Sequence, residues 1–60
     1  MKKVFIDFYG CSASIRLSPS GCAHLIVRDA WGKKIHDKMY VTLRGARIAM
    51  GRMSDGWREV

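Results

Sequence analysis

Apolar and polar residues alternate along three consecutive segments of the chain, residues 12–18, 22–28 and 34–40. A period of two is typical of β-strands that bury one face of a sheet. The segments are separated by SPSGC at 18–22 and DAWGK at 29–33. Both fit a three-residue hairpin loop, in which a type I turn is followed by a left-handed glycine. The pattern therefore predicts three antiparallel strands joined by two hairpins.

The loop length fixes the register of the first of these hairpins. When Ser18 is paired with Cys22, every facing pair on one side of the sheet is apolar, and a slip of one residue would mix the two faces. The pairs are Ala13 with Val27, Ile15 with Leu25, and Leu17 with Ala23.

The second hairpin follows from the same reasoning and shares the apolar face. Val27 would face Ile35 and Ala23 would face Met39, with Leu25 beside Asp37 as the one poor match. The opposite face is then polar and basic. It carries Ser12, Ser14, Arg16 and Ser18, then Cys22, His24, Ile26 and Arg28, then Lys34, His36, Lys38 and Tyr40.

A further strand precedes these three, over residues 4–8. It either forms a hairpin across Tyr9-Gly10, with Phe8 opposite Cys11, or continues as one long strand bent at Gly10. The hairpin would strain Tyr9, because such turns require positive φ at that position. In both cases we expect Val4, Ile6 and Phe8 to join the core.

The C-terminal third predicts a helix from about Leu43 to Met53, with Thr42 as its N-cap. Its apolar face would lie on the sheet and consists of Leu43, Ala46, Ala49, Met50 and Met53. Trp57 and Val60 are expected to close the core, and this tail is a candidate short edge strand. The predicted class is α+β, a single domain over residues 1–60. It consists of a three- to four-stranded antiparallel meander with one C-terminal helix packed on one face.

Charge narrows the range of partners. Eleven Lys and Arg against five Asp and Glu give a formal net charge of +6 in 60 residues, which favours polyanionic partners. No segment approaches the apolar length of a membrane span, and Asp7 interrupts the apolar run that a secretory signal would need. We expect a cytoplasmic protein that does not bind membranes. Cys11 and Cys22 fall on opposite faces of the sheet and are expected to be free thiols.

The residues do not predict catalysis. The five carboxylates do not converge, and Cys22 shares a face with His24 but lies on an open sheet without a pocket. Cys22, His24 and His36 are too few for a zinc site, and their spacing matches no common zinc pattern. The sequence also contains no glycine-rich phosphate-binding loop. We therefore expect no enzymatic activity, no metal and no cofactor.

Binding of nucleic acid is the function that the basic face predicts. A flat sheet can present several cations to phosphates at once, and a β-ribbon can enter the major groove of duplex DNA. Phe5, Tyr9 and Tyr40 are candidates for stacking on single-stranded bases at the margins of this face. The expected nucleic-acid-binding residues are Arg16, Arg28, Lys34, His36 and Lys38.

The second half of the chain resembles two families of small DNA-binding domains. Arg28-Asp29 precedes a turn, Gly32-Lys33 follows it, and Tyr-x-Thr at 40–42 leads into a helix with alanines three residues apart. This pattern is similar to the sheet-plus-helix domains of plant ethylene-response factors and to the arm-binding domains of phage integrases. The resemblance implies a sheet that lies in the major groove with a helix behind it.

The small size and basic charge also resemble accessory proteins of phages and mobile elements, some of which inhibit bacterial defence systems such as CRISPR nucleases. This resemblance implies an alternative function, an inhibitor that docks on a host protein or nucleoprotein. Its expected anchors are Tyr9, Trp31 and Tyr40, together with an open sheet edge. Such an edge also offers a route to a homodimer.

Overall fold

The chain folds into one antiparallel sheet with one helix packed on it, and a computed structural model describes residues 2–60. The elements are β1 (Lys2–Ile6), β2 (Ser12–Leu17), β3 (Ala23–Arg28), β4 (Lys34–Tyr40), α1 (Leu43–Met53) and β5 (Arg58–Glu59). The strand order is β4-β3-β2-β1-β5. Four strands therefore form a meander, and the chain returns past the helix to add β5 beside β1. This confirms the predicted α+β class with its short final strand.

All three hairpins use the same turn, at residues 7–11, 18–22 and 29–33. The glycine in each has positive φ, at 84°, 92° and 86° in chain order. In the first and third turns the opening aspartate caps the loop, because its Oδ1 accepts hydrogen bonds from two backbone N–H groups further along. Ser18 Oγ takes the same role in the second turn, where it accepts from the Cys22 N–H at 3.2 Å.

The register of β2 with β3 is confirmed. Ala13 pairs with Val27 and Ile15 with Leu25. These side chains form the core together with Phe5, Ala23, Ala46 and Met50. Ile15, Leu25 and Val27 are its largest fully buried side chains, and each contributes about 1.5–3 kcal/mol of burial free energy.

The first hairpin differs from both predicted alternatives. Its turn has three residues rather than two, so β1 slips by one position and Phe5, not Ile6, pairs with Ala13. Phe5 is therefore buried, whereas Ile6 and Phe8 are 43% and 79% exposed. The physical reason is that a two-residue turn would need positive φ at Tyr9, whereas the longer turn places it on Gly10.

The second hairpin contains a β-bulge that overturns the predicted faces of β4. Arg28 pairs with Lys34 as expected, but Val27 pairs with His36 and Leu25 with Lys38. Without the bulge, Asp37 would lie beside Leu25 under the helix, where burying a carboxylate is costly. The extra residue moves Asp37 to the opposite face and leaves Ile35 56% exposed.

The helix begins and ends where the sequence predicts. Thr42 is its N-cap, and Thr42 Oγ1 accepts a hydrogen bond from the Gly45 N–H at 3.1 Å. Ala46 and Met50 are buried against the sheet. Met53, expected on the same face, is 42% exposed at the end of the helix.

The tail closes the core through Trp57 alone. Its indole Nε1 donates to the Met50 carbonyl at 2.8 Å, so it ties the tail to α1, and its ring packs against the core. Val60, also expected there, is 79% exposed, because it follows β5 at the sheet edge.

The replacement Gly51→Ala should stabilise the protein by about 1 kcal/mol, because glycine is a poor residue in a helix interior. A methyl group at this position meets no atom within 4 Å. In a domain this small, the melting temperature should rise by about 4–8 °C in a thermal unfolding experiment.

Gly10→Ala serves as the control of opposite sign. Its φ is 84° and a methyl group would lie 3.3 Å from the Ala30 Cβ, so a loss of about 1–2 kcal/mol is expected. If Gly10→Ala raised the melting temperature, the positive φ described for Gly10 would be contradicted. If Gly51→Ala lowered it, the open helical position described for Gly51 would be contradicted.

Candidate functional site

The face of the sheet opposite α1 is the candidate site, and we refer to it as the open face. Facing residues in adjacent antiparallel strands project to the same side, so the strand pairing assigns its members. They are Lys2, Val4, Ile6, Ser12, Ser14, Arg16, His24, Ile26, Arg28, Lys34, Asp37, Met39 and Arg58.

Positive charge dominates the open face. Lys2 and Arg16 are direct neighbours on β1 and β2. Arg28 lies further along β3 beside Lys34, and Arg58 adds a fifth cation next to Ile6. Among residues 2–60, Asp37 is the one carboxylate assigned to this face. The resulting electrostatic field therefore favours an anionic ligand.

Asp37 joins two of the basic groups in a local cluster. Its carboxylate is hydrogen-bonded to His24 Nε2 and accepts from Lys34 Nζ at 2.9 Å. These hydrogen bonds, that of His24 first, lower the pKa of Asp37 to about 2. The charge of Lys34 is thereby compensated. Within residues 2–60, the cations of the open face without a salt bridge are Lys2, Arg16, Arg28 and Arg58.

Three of those four cations surround a shallow depression of about 290 Å³. Lys2, Arg16 and Arg28 line it, together with Ser14, His24 and Ile26. The depression is wide enough for an anionic group, and it offers hydroxyl and imidazole partners beside the charges.

The structure divides the sequence-predicted binding residues between the two faces. Arg16, Arg28 and Lys34 lie together on the open face, as expected. The prediction was wrong for the placement of His36, Lys38 and Tyr40, because the bulge turns all three to the helix side of the sheet.

On the helix side, the three displaced residues contact one another. His36 Nε2 is hydrogen-bonded to the Tyr40 hydroxyl at 3.0 Å, and Lys38 Nζ lies 5.5 Å from the centre of the Tyr40 ring. Tyr40 is half-buried, so it is not the exposed anchor that the alternative function requires. The other two expected anchors, Tyr9 and Trp31, are exposed on turns.

Sequence reasoning missed three charged residues of the open face, Lys2, Asp37 and Arg58, and it placed the apolar residues Val4, Ile6 and Met39 on the opposite face. Lys2 and Arg58 depend on the register of β1 and on the pairing of β5, neither of which the alternation pattern fixes. A signal for Asp37 existed, since it was the one poor match in the predicted β3–β4 register.

Exposed aromatic rings mark one end of the sheet. The turns at 7–11 and 29–33 lie side by side there, so that a methyl group on Gly10 would touch Ala30. Phe8 and Tyr9 on the first turn are 79% and 80% exposed, and Trp31 on the second is 90% exposed. These rings contribute little to the core and are accessible to a partner.

A second concavity of about 440 Å³ lies between the first turn and the end of α1. Asp7 borders it and is buried. Burial would raise the pKa of Asp7, but the Ser54 hydroxyl and the N–H groups of Cys11 and Tyr9 favour the ionised form and leave its pKa lowered. Ser54 Oγ is buried and makes no hydrogen bond of regular geometry, so the two N–H groups are the firm contacts of the carboxylate.

Cys11 borders the same concavity and is a free thiol, as is Cys22. Burial and the nearby carboxylates of Asp7 and Asp29 raise the pKa of the Cys11 thiol. A thiol with a raised pKa is protonated at neutral pH and is a poor nucleophile. In the part of the chain that the structure describes, no three His, Cys, Asp or Glu side chains are grouped to hold a metal ion.

Comparison of this chain with protein families, with curated proteins and with solved structures found no significant match. Within residues 2–60, no helix is both long and apolar enough to cross a membrane.

Acid should destabilise the protein partly through Asp37. A lowered folded-state pKa means that this carboxylate stabilises the fold above its ordinary pKa of 3.8 and that the contribution is lost as the pH falls towards 2. The melting temperature should therefore drop across this window. In Asp37→Asn the drop should be smaller, as measured by circular dichroism.

Asp55→Asn is the matched control, because it removes an exposed carboxylate that lies outside the cluster. Asp7, whose pKa is also lowered, should preserve some acid sensitivity in both variants. Identical pH profiles for wild type and Asp37→Asn would refute the role of the cluster.

Proposed function

We propose that this protein binds nucleic acid, with the open face contacting the phosphate backbone. One observation carries the proposal. Among residues 2–60, four cations without salt bridges, Lys2, Arg16, Arg28 and Arg58, share a single face that the helix leaves uncovered. Phosphates neutralised by such a face release their condensed counterions, which drives association and makes it sensitive to salt.

The spacing of the open face suits an extended polyanion. Alternate residues of a strand lie about 6–7 Å apart, and neighbouring strands about 4.8 Å apart. The apolar side chains between the cations, among them Val4 and Ile26, can contact sugars and bases while the cations contact phosphates. The hydroxyls of Ser12 and Ser14 add hydrogen-bonding groups.

The helix carries a separate set of basic residues, Arg44, Arg47 and Arg52, on the other side of the molecule. Arg47 lies over the Phe5 ring, at 5.6 Å from its centre, so part of its role is packing. Arg44 and Arg52 are exposed near opposite ends of α1. They are therefore suitable controls for the open face.

The double replacement Arg16→Gln with Arg28→Gln should weaken binding to labelled DNA at least tenfold at low salt. Loss of two phosphate contacts should also reduce the slope of log K against log salt, by about 1.8 for duplex and about 1.4 for single strands. Fluorescence anisotropy at several salt concentrations measures both quantities.

The control pair Arg44→Gln with Arg52→Gln makes the same change in net charge on the helix. It should reduce affinity slightly and leave the slope nearly unchanged. Equal losses in both pairs would reject the open face as the binding surface. No binding by the wild type at low salt would reject the proposal altogether and favour the alternative, an inhibitor of a host protein.

Asp37→Asn should have the opposite effect and tighten binding. It removes the one carboxylate that residues 2–60 place on the open face and frees Lys34, so the salt slope should steepen by about 0.7–0.9. The same titrations measure it, and Asp55→Asn again controls for net charge. Weaker binding by Asp37→Asn would contradict the view that Asp37 opposes the ligand.

A further inference from the structure

We infer that the ligand is single-stranded nucleic acid, whose unpaired bases stack on the aromatic residues of the two touching turns. This inference rests on the proposed function and adds the class of ligand to it. The aromatic residues are Phe8 and Tyr9 on the turn at 7–11 and Trp31 on the turn at 29–33. Together we call them the aromatic tips.

The aromatic tips are aligned because the two turns are copies of one another. Each is opened by an aspartate and closed by a glycine of positive φ, and Tyr9 and Trp31 occupy the same position in them. The turns also start at one level of the sheet, since Ser12 pairs with both Ile6 and Arg28. Tyr9 and Trp31 are therefore presented in the same way, two strand spacings or about 10 Å apart.

Packing does not account for the aromatic tips. Trp31 and Tyr9 are 90% and 80% exposed, and the turn geometry calls for a hydrogen-bonding side chain and a glycine but for no aromatic residue between them. Phe8 has a neighbour, because a methyl group on Gly56 would lie 2.3 Å from its ring. A glycine at 56 thus leaves space for the Phe8 ring beside Tyr9. Stacking on a ligand is a role that such rings can fill.

Cations of the open face adjoin the aromatic tips. Arg28 Nη1 donates to the Gly32 carbonyl at 3.1 Å, so its guanidinium lies against the turn that carries Trp31. Lys33 is the last residue of the same turn, and Lys34, a cation of the open face, follows it directly. A strand whose phosphates lie on the open face would therefore reach the tips with its bases. This combination of a cationic track and stacking rings is the one that binds single strands.

A duplex fits this end of the molecule less well. Its bases stack on one another and do not offer their faces to protein side chains. Aromatic residues on turn positions about 10 Å apart also suit bases that are separated from their neighbours, as in an extended single strand. The Oδ1 atoms of both turn aspartates accept hydrogen bonds from backbone N–H groups of their own loops, and these N–H dipoles offset part of the carboxylate charge.

The test compares three labelled probes with the same number of phosphates: oligo(dT), the corresponding abasic oligomer, and a duplex. Oligo(U) extends it to RNA. Wild type should bind oligo(dT) more tightly than either of the other DNA probes. Trp31→Ala should lower affinity for oligo(dT) about tenfold, given the usual strength of base stacking, while affinity for the abasic oligomer stays unchanged. Tyr9→Ala should act in the same direction.

Matched variants separate stacking from folding and from general loss of apolar surface. Trp31→Phe keeps an aromatic ring and should retain most of the affinity. Val41 is 84% exposed and lies at the opposite end of β4 from the aromatic tips. Val41→Ala therefore removes exposed apolar surface elsewhere and should have no effect on binding. Oligo(dT) should also quench the tryptophan fluorescence of wild type, and the quenching should be lost in Trp31→Phe, because the remaining Trp57 is bonded to α1.

The outcomes distinguish the two proposals. If oligo(dT) and the abasic oligomer bind with equal affinity and with a steep dependence on salt, the stacking of bases on the aromatic tips is overturned. Binding of phosphates by the open face is then still supported. Tighter binding to the duplex than to oligo(dT) would overturn the single-strand inference and leave the phosphate-binding proposal in place. Absence of binding to every probe at low salt would overturn both.

Discussion

The turn that joins each pair of strands constrains everything else in this structure. Three times the chain places a hydrogen-bonding side chain at the start of a turn and a glycine three residues later, and three times the same loop results. Because strand side chains alternate between faces, a loop longer or shorter by one residue would exchange inside and outside along the whole strand. The position of Gly10 thus decides that Phe5 is buried, and the position of Gly32 decides that Arg28 faces Lys34. Core and open face both follow from local turn chemistry.

Most of the fold was predictable where two independent signals agreed. In β2 and β3 the turn fixed the register and the apolar pattern supported it, and in α1 the N-cap and the periodicity coincided. Sequence reasoning failed where one signal was taken alone. For β1, the apolar residues Val4 and Ile6 were given more weight than the aspartate that opens the turn. For β4, regular alternation was assumed although it left Asp37 beside Leu25.

The candidate site was less predictable than the fold because it depends on those same two strands. Arg16 and Arg28 lie in the well-specified centre of the sheet and were placed correctly. His36 and Lys38 lie beyond the bulge, and one extra residue was enough to move them to the other face. Arg58 joined the face through pairing between the two ends of the chain, which no local pattern encodes. The roles assigned to these residues stay predictions until binding is measured.

The bulge in β4 has a consequence for how the protein behaves among other copies of itself. β4 lies at one edge of the described sheet, and an edge strand with an unbroken row of N–H and C=O groups invites further strands to add. A bulge interrupts that row and increases the local twist, while the lysines of the strand place like charges where a second copy would approach. The bulge that keeps a carboxylate out of the core therefore also makes β4 a poorer template for pairing with the edge of a second copy.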